Sequence, residues 1–433
     1  MRLYKRRICK LIPLALSSLG ITAAMATPNV QGGGSSLVAP VIGATYSPTT
    51  EIGIFGTSEG AFTYYSVGSG AGQNAFLRNQ PTFLSPGATG TVYFANSDAA
   101  LTTYQVTSYQ ANIGATSGPL IQIPYLVTPI AVPIVNGPAV TSTRTPQTTP
   151  GQAHSIALTD NALCGVFSGK LTNWNQVVNP ETNLTYEINA PITVVYDSNA
   201  SGTTELLTRH LAAVCTPVNT AVRVTFVDSM TFADSFLGGM PSNFTSAPGN
   251  GGMRRLLVSY ASAGMAAVAY LSPNYTNTFL APQSVAITSA SAFQLPVASL
   301  VNATNSMYYA PNYTNASTAL GNTIIPPIGP RASNPTRWVP NAGNPISGYP
   351  ISGTSQIILS QCYTDSSVST AMHDFLNAHY TNASFASIIR GNGFDTVPDT
   401  YQRAIVDDFL SNTSGRNLDI GNPSVCTGNV VGR

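Results

Sequence analysis

Three short segments carry the chemistry this chain could perform. Gly32-Gly33-Gly34-Ser35-Ser36-Leu37, Gly68-Ser69-Gly70 and Ser201-Gly202-Thr203-Thr204 each set glycine beside a hydroxyl residue, ahead of a helical pattern. Glycine lets the backbone approach a ligand, the first N–H groups of a helix lack partners within it, and hydroxyls add donors. Such loops can coordinate an oxyanion without lysine or arginine. One loop alone reads as an ordinary helix N-cap, so a fourth element matters. Asp98, in Ser97-Asp98, is an acceptor. Beside an anion it helps only if the ligand carries a proton, because a carboxylate accepts from P–OH and rejects a fully deprotonated tetrahedral anion. That is the distinction between phosphate and sulfate. Asp197, four residues before Ser201, puts a negative charge where an anion site calls for a positive one.

The other titratable residues add no reaction. His154, His210, His373 and His379 are the only histidines, and each reads as an ordinary surface or packed residue. No Gly-x-Ser-x-Gly elbow comes with triad context, and no ligand spacing supports a metal. The expectation is a binder without catalytic residues, metal or cofactor.

The elements that must position these loops alternate. Strand signals at 62–67 and 92–95 are followed by a helical run at 73–78 and a helix from Ala99 capped by Ser97-Asp98. Residues 120–135 read as an apolar strand pair interrupted by prolines, and "ITVVY" leads into the Ser201 loop and a helix over 205–213. This order predicts an α/β chain with largely parallel sheets. The stretches 238–252 and 321–350 read as surface loops. Strand signals return over 348–363, which suggests that the chain comes back to complete its first lobe.

Residues 1–26 read as a secretory signal peptide, with Arg2, Lys5, Arg6, Arg7 and Lys10 ahead of an apolar stretch and Ala24-Met25-Ala26 at the cleavage site. Later segments offer no membrane anchor. Its removal leaves 13 Lys and Arg against 17 Asp and Glu, a formal charge of −4 in place of +1. That balance speaks against nucleic acid and against a polybasic membrane binder. Only 8% of the chain is charged, against about 25% in an ordinary domain, so the surface is built from uncharged polar side chains. Cys164, Cys215, Cys362 and Cys426 remain after processing. In an exported chain they read as two disulfides with three possible connectivities, and their separations suggest 164 with 215 and 362 with 426.

At this point the chain resembles the periplasmic phosphate-binding proteins of ABC transporters, and more closely their DING subfamily. The blocks "GGGSSLVAP", "VGSGAGQNAFL", "SDAAL", "LIQIPYLVTPIAVPI", "LCGVFSGKLTNWN", "VVYDSNASGTTELLTRHL", "AYLSPNY", "SNPTRWVP", "SGYPISGTSQIILSQCY" and "IGNPSVC" run through nearly all of it in order. The resemblance implies a two-lobe periplasmic-binding-protein fold closing by hinge crossovers on one phosphate, with lobes of 27–128 plus 347–433 and of 129–346. It also implies the same two disulfides and a possible transporter permease as partner. Carried over residue by residue, the phosphate contacts fall on Ser36, Leu37, Ser69, Asp98, Ser201, Gly202 and Thr203. Ser36 stands where a threonine is usual. Asp197 stands where the family has an arginine that pairs with phosphate, and the two carboxylates would raise each other's pKa if close. Arg254 and Arg255, opening a helical run after a 249–252 turn, are the candidates to compensate. The alternative to capture of phosphate is a secreted interaction protein with weakened binding; an extracellular phosphatase ranks below both.

Overall fold

The computed structural model describes residues 27–43, 47, 49–321, 325–340 and 343–433. The expected signal peptide lies outside the described residues. The first sheet is built from β1 (Asn29–Gly34), β2 (Ala61–Ser66), β3 (Phe94–Ser97), β4 (Leu120–Pro129) and the late strand β12 (Ser352–Ser360), in the order β2-β1-β3-β12-β4. β1 pairs in parallel with β2 and β3, whereas β12 runs antiparallel to both β3 and β4. The sheet is therefore mixed rather than largely parallel. A strand arriving from the far end of the chain can enter in either direction, because no short crossover constrains it.

β4 is buried at all ten positions, as an apolar strand covered on both faces should be. Pro124 lies within it. A proline cannot donate to a ladder, and the irregularity between Ser355 and Gln356 falls opposite it on β12. The segment expected to be a strand pair is thus one long strand, followed by the short β5 (Ile134–Val135) in another sheet. The remaining strands are β6 (Ala157–Leu158), β7 (Thr193–Asp197), β8 (Phe244–Ala247), β9 (Ala267–Val268), β10 (Ser299–Val301) and β11 (Tyr308–Tyr309). They form a sheet β5-β9-β7-β8 and a small sheet β11-β10-β6. Within the former, β7 runs parallel to β8 and β9.

Four helices matter for the site: α1 (Ser69–Arg78), α2 (Gly202–Val214), α3 (Gly249–Ser262) and α4 (Ser366–Thr381). α1 starts within the glycine-rich segment, not after it. Gly72 explains why: a Cβ there would lie 2.5 Å from Gly34 Cα, so only glycine lets α1 settle on the end of β1. α3 likewise begins at Gly249, so its glycines form its first turn. The helix expected from Ala99 starts instead at Thr103 (Thr103–Ala111), behind a Thr102 and Gln105 capping box. Beneath the first sheet, Phe62 stacks on Phe375 of α4 at 4.7 Å between ring centres, one contact of a core that also takes in Val30, Phe94, Ile357 and Leu359.

The cysteine pairs are Cys164–Cys215 and Cys362–Cys426. Among the described residues, no helix is long and apolar enough to cross a membrane.

Candidate functional site

All four loops meet where the ends of β1, β3 and β7 face one another. Gly34, with φ of 140°, turns β1 out of the sheet, and Ser35 N is held by Asn96 O at 2.8 Å. Ser35 Oγ then donates to Asp98 Oδ2 at 2.7 Å and accepts from Leu37 N at 3.0 Å. Ser69, the first residue of α1, accepts from Asp98 N at 3.2 Å. Gly202 opens α2 against the same two residues. A Cβ on it would lie 2.6 Å from both Asp98 Cβ and Ser69 Oγ, and 2.7 Å from Ala99 N. Gly70 N donates across to Ala200 O at 3.0 Å.

Ser36 and Thr203 meet through Asn250 in the first turn of α3. Asn250 Nδ2 donates to Ser36 Oγ at 3.0 Å and to Thr203 Oγ1 at 3.1 Å, while Asn250 Oδ1 accepts from Ser272 N at 2.9 Å. The structure therefore brings Ser36, Ser69, Asp98, Gly202 and Thr203 into one cluster. Ser201, buried beside them, sends its N–H to Met230 O. The Leu37 N–H is taken by Ser35, and the Leu37 carbonyl accepts from Asn274 Nδ2 at 2.9 Å.

Asp98 is the electrostatic centre. It is 1% exposed, and its Oδ1 has no hydrogen-bond partner. Burial pushes its pKa up to about 6, against the lowering effect of the Ser35, Ser355 and Ser69 hydroxyls. A carboxylate with one free oxygen among donors is built to accept from a protonated group.

Asp197 commits one carboxylate oxygen to backbone N–H groups. Its Oδ1 accepts from Gly249 N at 2.8 Å and from Asn199 N at 2.9 Å, so it caps α3 and braces its own loop. Its N–H donates to Tyr270 OH, which also bonds Thr204 Oγ1. Burial is the first cause of its raised pKa, and the N–H donors of Asn199 and Gly249 oppose it. Desolvation, not mutual repulsion, raises both carboxylates. Of the two arginines named as candidates to compensate, Arg254 is committed elsewhere. Arg254 is buried with its guanidinium on the carbonyls of Tyr275, Thr276 and Phe293, and Arg255 is exposed. The positive end of the α3 dipole meets Asp197 instead.

A cleft of about 470 Å³ opens beside the cluster, between Ala99 to Thr102 and the α2 pair Glu205 and Arg209. Arg209 joins Glu205 to Asp228. Burial raises Glu205 to about 7 in spite of that arginine. Two of the histidines serve packing networks: His379 bonds Glu51 and stacks on Tyr125 at 3.7 Å, and His210 bonds Asp160. Among the described residues, no three His, Cys, Asp or Glu side chains gather as a metal site.

Sequence reasoning missed Ser35 and Asn250. Ser35 is chemically indistinguishable from Ser36 in the sequence, and only the strand end decides which side chain turns inward. Asn250 sits in "GNGG", a stretch that reads as a loop.

A model described as PBP superfamily domain matches residues 22–325. Along its whole length the chain is 34% identical to the full length of a Pseudomonas aeruginosa protein called alkaline phosphatase L. It is 32% identical, over 84% of its length and 92% of the relative's, to a phosphate-binding protein from an unknown prokaryotic organism. Among solved structures, it resembles a high-affinity periplasmic phosphate-binding protein, PfluDING, bound with phosphate. That match has a TM-score of 0.73 at 31% identity and covers 94% of this chain and 99% of the other. An ancestral soluble variant of the human phosphate binding protein matches with a TM-score of 0.74 at 31% identity, again covering 94% and 99%. The chain belongs to the periplasmic-binding-protein superfamily and, within it, to the phosphate-binding proteins that include the DING proteins.

Proposed function

We propose that the protein is an exported solute-binding protein that captures inorganic phosphate between its lobes and releases it unchanged. The observation that carries this reading is Asp98, a buried carboxylate with a free oxygen set among the Ser35, Ser36, Ser69 and Thr203 hydroxyls. Such a site offers an acceptor for P–OH and donors for the remaining oxygens, which favours protonated phosphate over sulfate. The phosphate-binding relatives support it. Our assignment of ligand contacts is Ser36, Ser69, Asp98, Ser201, Gly202 and Thr203, with Leu37 and Asp197 shaping the loops. Residues 27–128 with 347–433 are taken as one lobe and 129–346 as the other.

Among the described residues no lysine or arginine bonds to Asp98, Ser36, Ser69 or Thr203, so the site depends on neutral donors and on the α2 N-terminus, near Gly202. We expect weaker binding than an arginine-bearing site, because a charge-assisted bond contributes about 1.5–3 kcal/mol. Delivery to an ABC-transporter permease after export to the periplasm or beyond is the role we assign. Turnover is not part of it: the Ser35 hydroxyl is held by Asp98 and Leu37, and none of the clustered serines has a histidine or lysine base bonded to it. The test is to denature purified protein and assay released phosphate, alongside phosphomonoester hydrolysis across pH and divalent metals. About one phosphate per chain and no hydrolysis support capture. Sustained hydrolysis would replace this reading with the phosphatase one.

A further inference from the structure

We propose that Asn250 positions the Ser36 and Thr203 hydroxyls as donors to the oxyanion, and so ties ligand capture to closure of the two lobes; this rests on the oxyanion-binding reading above. Ser36 follows β1 in the first sheet, Thr203 follows β7 in the second, and the Asn250 amide spans the gap between them at 3.0 and 3.1 Å. Asn250 is fully buried.

A side-chain amide has two N–H donors and one carbonyl acceptor. Ser272 N donates to Asn250 Oδ1 at 2.9 Å, which fixes the amide's orientation and commits its oxygen. Both amide hydrogens then go to the two hydroxyl oxygens. A hydroxyl carries only one proton, and here each oxygen is already satisfied as an acceptor. Among the described residues neither hydroxyl donates to a protein acceptor. Both protons are therefore free to point at a ligand oxygen. Asn250 thus does with neutral geometry part of what a cation does by charge, and it can do so only when both loops reach it. An open lobe would break at least one of the two bonds.

Asn250→Asp is the informative substitution. It keeps size and keeps an acceptor for Ser272 N, but a carboxylate can only accept, so the two hydroxyls must donate to it and turn away from the ligand. Phosphate affinity, measured by calorimetry on stripped protein, should fall by about 100-fold, and Thr203→Val alone should lower it about tenfold. In the double variant, Thr203→Val should cost nothing further, because that hydroxyl has already turned away. Plain charge repulsion by the new carboxylate predicts that the two effects multiply, and that result would overturn the proposal. If Thr203→Val loosens α2, as ligand-free unfolding would reveal, Ser36→Ala completes the same cycle. Wild-type affinity in Asn250→Asp overturns the proposal and leaves the phosphate reading standing. A wild-type protein that binds no phosphate overturns both.

Discussion

Replacing Asp98 with asparagine separates the cost of burying a charge from its use. The carboxylate has a pKa of about 6 in the folded protein against 3.8 ordinarily, and burial is the leading cause. The folded state thus holds its proton more tightly than the unfolded state. For an acid raised in this way, stability falls as pH rises between the two values and levels off above the folded one. A difference of roughly two units corresponds to about 3 kcal/mol. Asp98→Asn keeps the shape and an acceptor for the Ser35 hydroxyl, but removes the titration. Ligand-free wild type and variant should therefore unfold at similar denaturant concentrations near about pH 4, and the variant should gain up to about 3 kcal/mol on the wild type by about pH 7.5. Taking the difference between the two proteins cancels Asp197, while Glu205, which the Asp98 charge helps to raise, is relieved in the variant and adds to its gain in the same direction. The assay is urea unfolding across this range. A wild type that keeps level with the variant or gains on it as pH rises would refute the reasoning, because Asp98 would then ionise in the folded protein at no cost or with a stability gain. In the same variant the amide offers a donor where P–OH needs an acceptor, so sulfate should begin to compete with phosphate.

Other consequences follow from the same geometry. Gly202→Ala places a methyl 2.6 Å from Asp98 and Ser69; phosphate affinity should drop at least about 100-fold in calorimetry while the fold persists, since the clash arises where the loops meet. Asp197→Ala removes the acceptor for Gly249 N and Asn199 N; loss of this cap should cost about 1–2 kcal/mol in denaturant unfolding. Reducing Cys164–Cys215, which are 51 residues apart, should destabilise by about 4 kcal/mol in the chain-entropy account, read as a shift of the unfolding midpoint under reductant. Arg254→Met strips donors from three carbonyls and should lower stability by about 2–4 kcal/mol while leaving the phosphate-to-sulfate ratio unchanged.

Much of the site was legible because its chemistry is local. Glycine beside hydroxyl marks a close-approach loop, and Ser69, Asp98, Gly202 and Thr203 converge as that chemistry requires. What escaped depends on neighbours distant in sequence. α3 begins at Gly249 because Asp197, 52 residues earlier, accepts its first N–H, and no propensity scale favours a helix opening on "GNGG". Asp197 read as a charge facing the ligand, and the fold also spends one of its oxygens on that helix. The start at Thr103, by contrast, was signalled by Thr102 and Gln105 three residues apart, and the Ser97-Asp98 pair merely offered a competing cap. The antiparallel entry of β12 was not readable, since strand patterns carry no direction.

On the proposed reading, a cluster to which no lysine or arginine bonds among the described residues binds phosphate through a buried carboxylate and neutral donors. Titrating stripped wild-type protein with phosphate in the calorimeter, at about pH 4.5 and 7.5 and then against excess sulfate, tests it most directly. Saturable binding to a single site that sulfate does not displace is the predicted result. Absence of binding at both pH values, or displacement by sulfate at similar concentration, would contradict it.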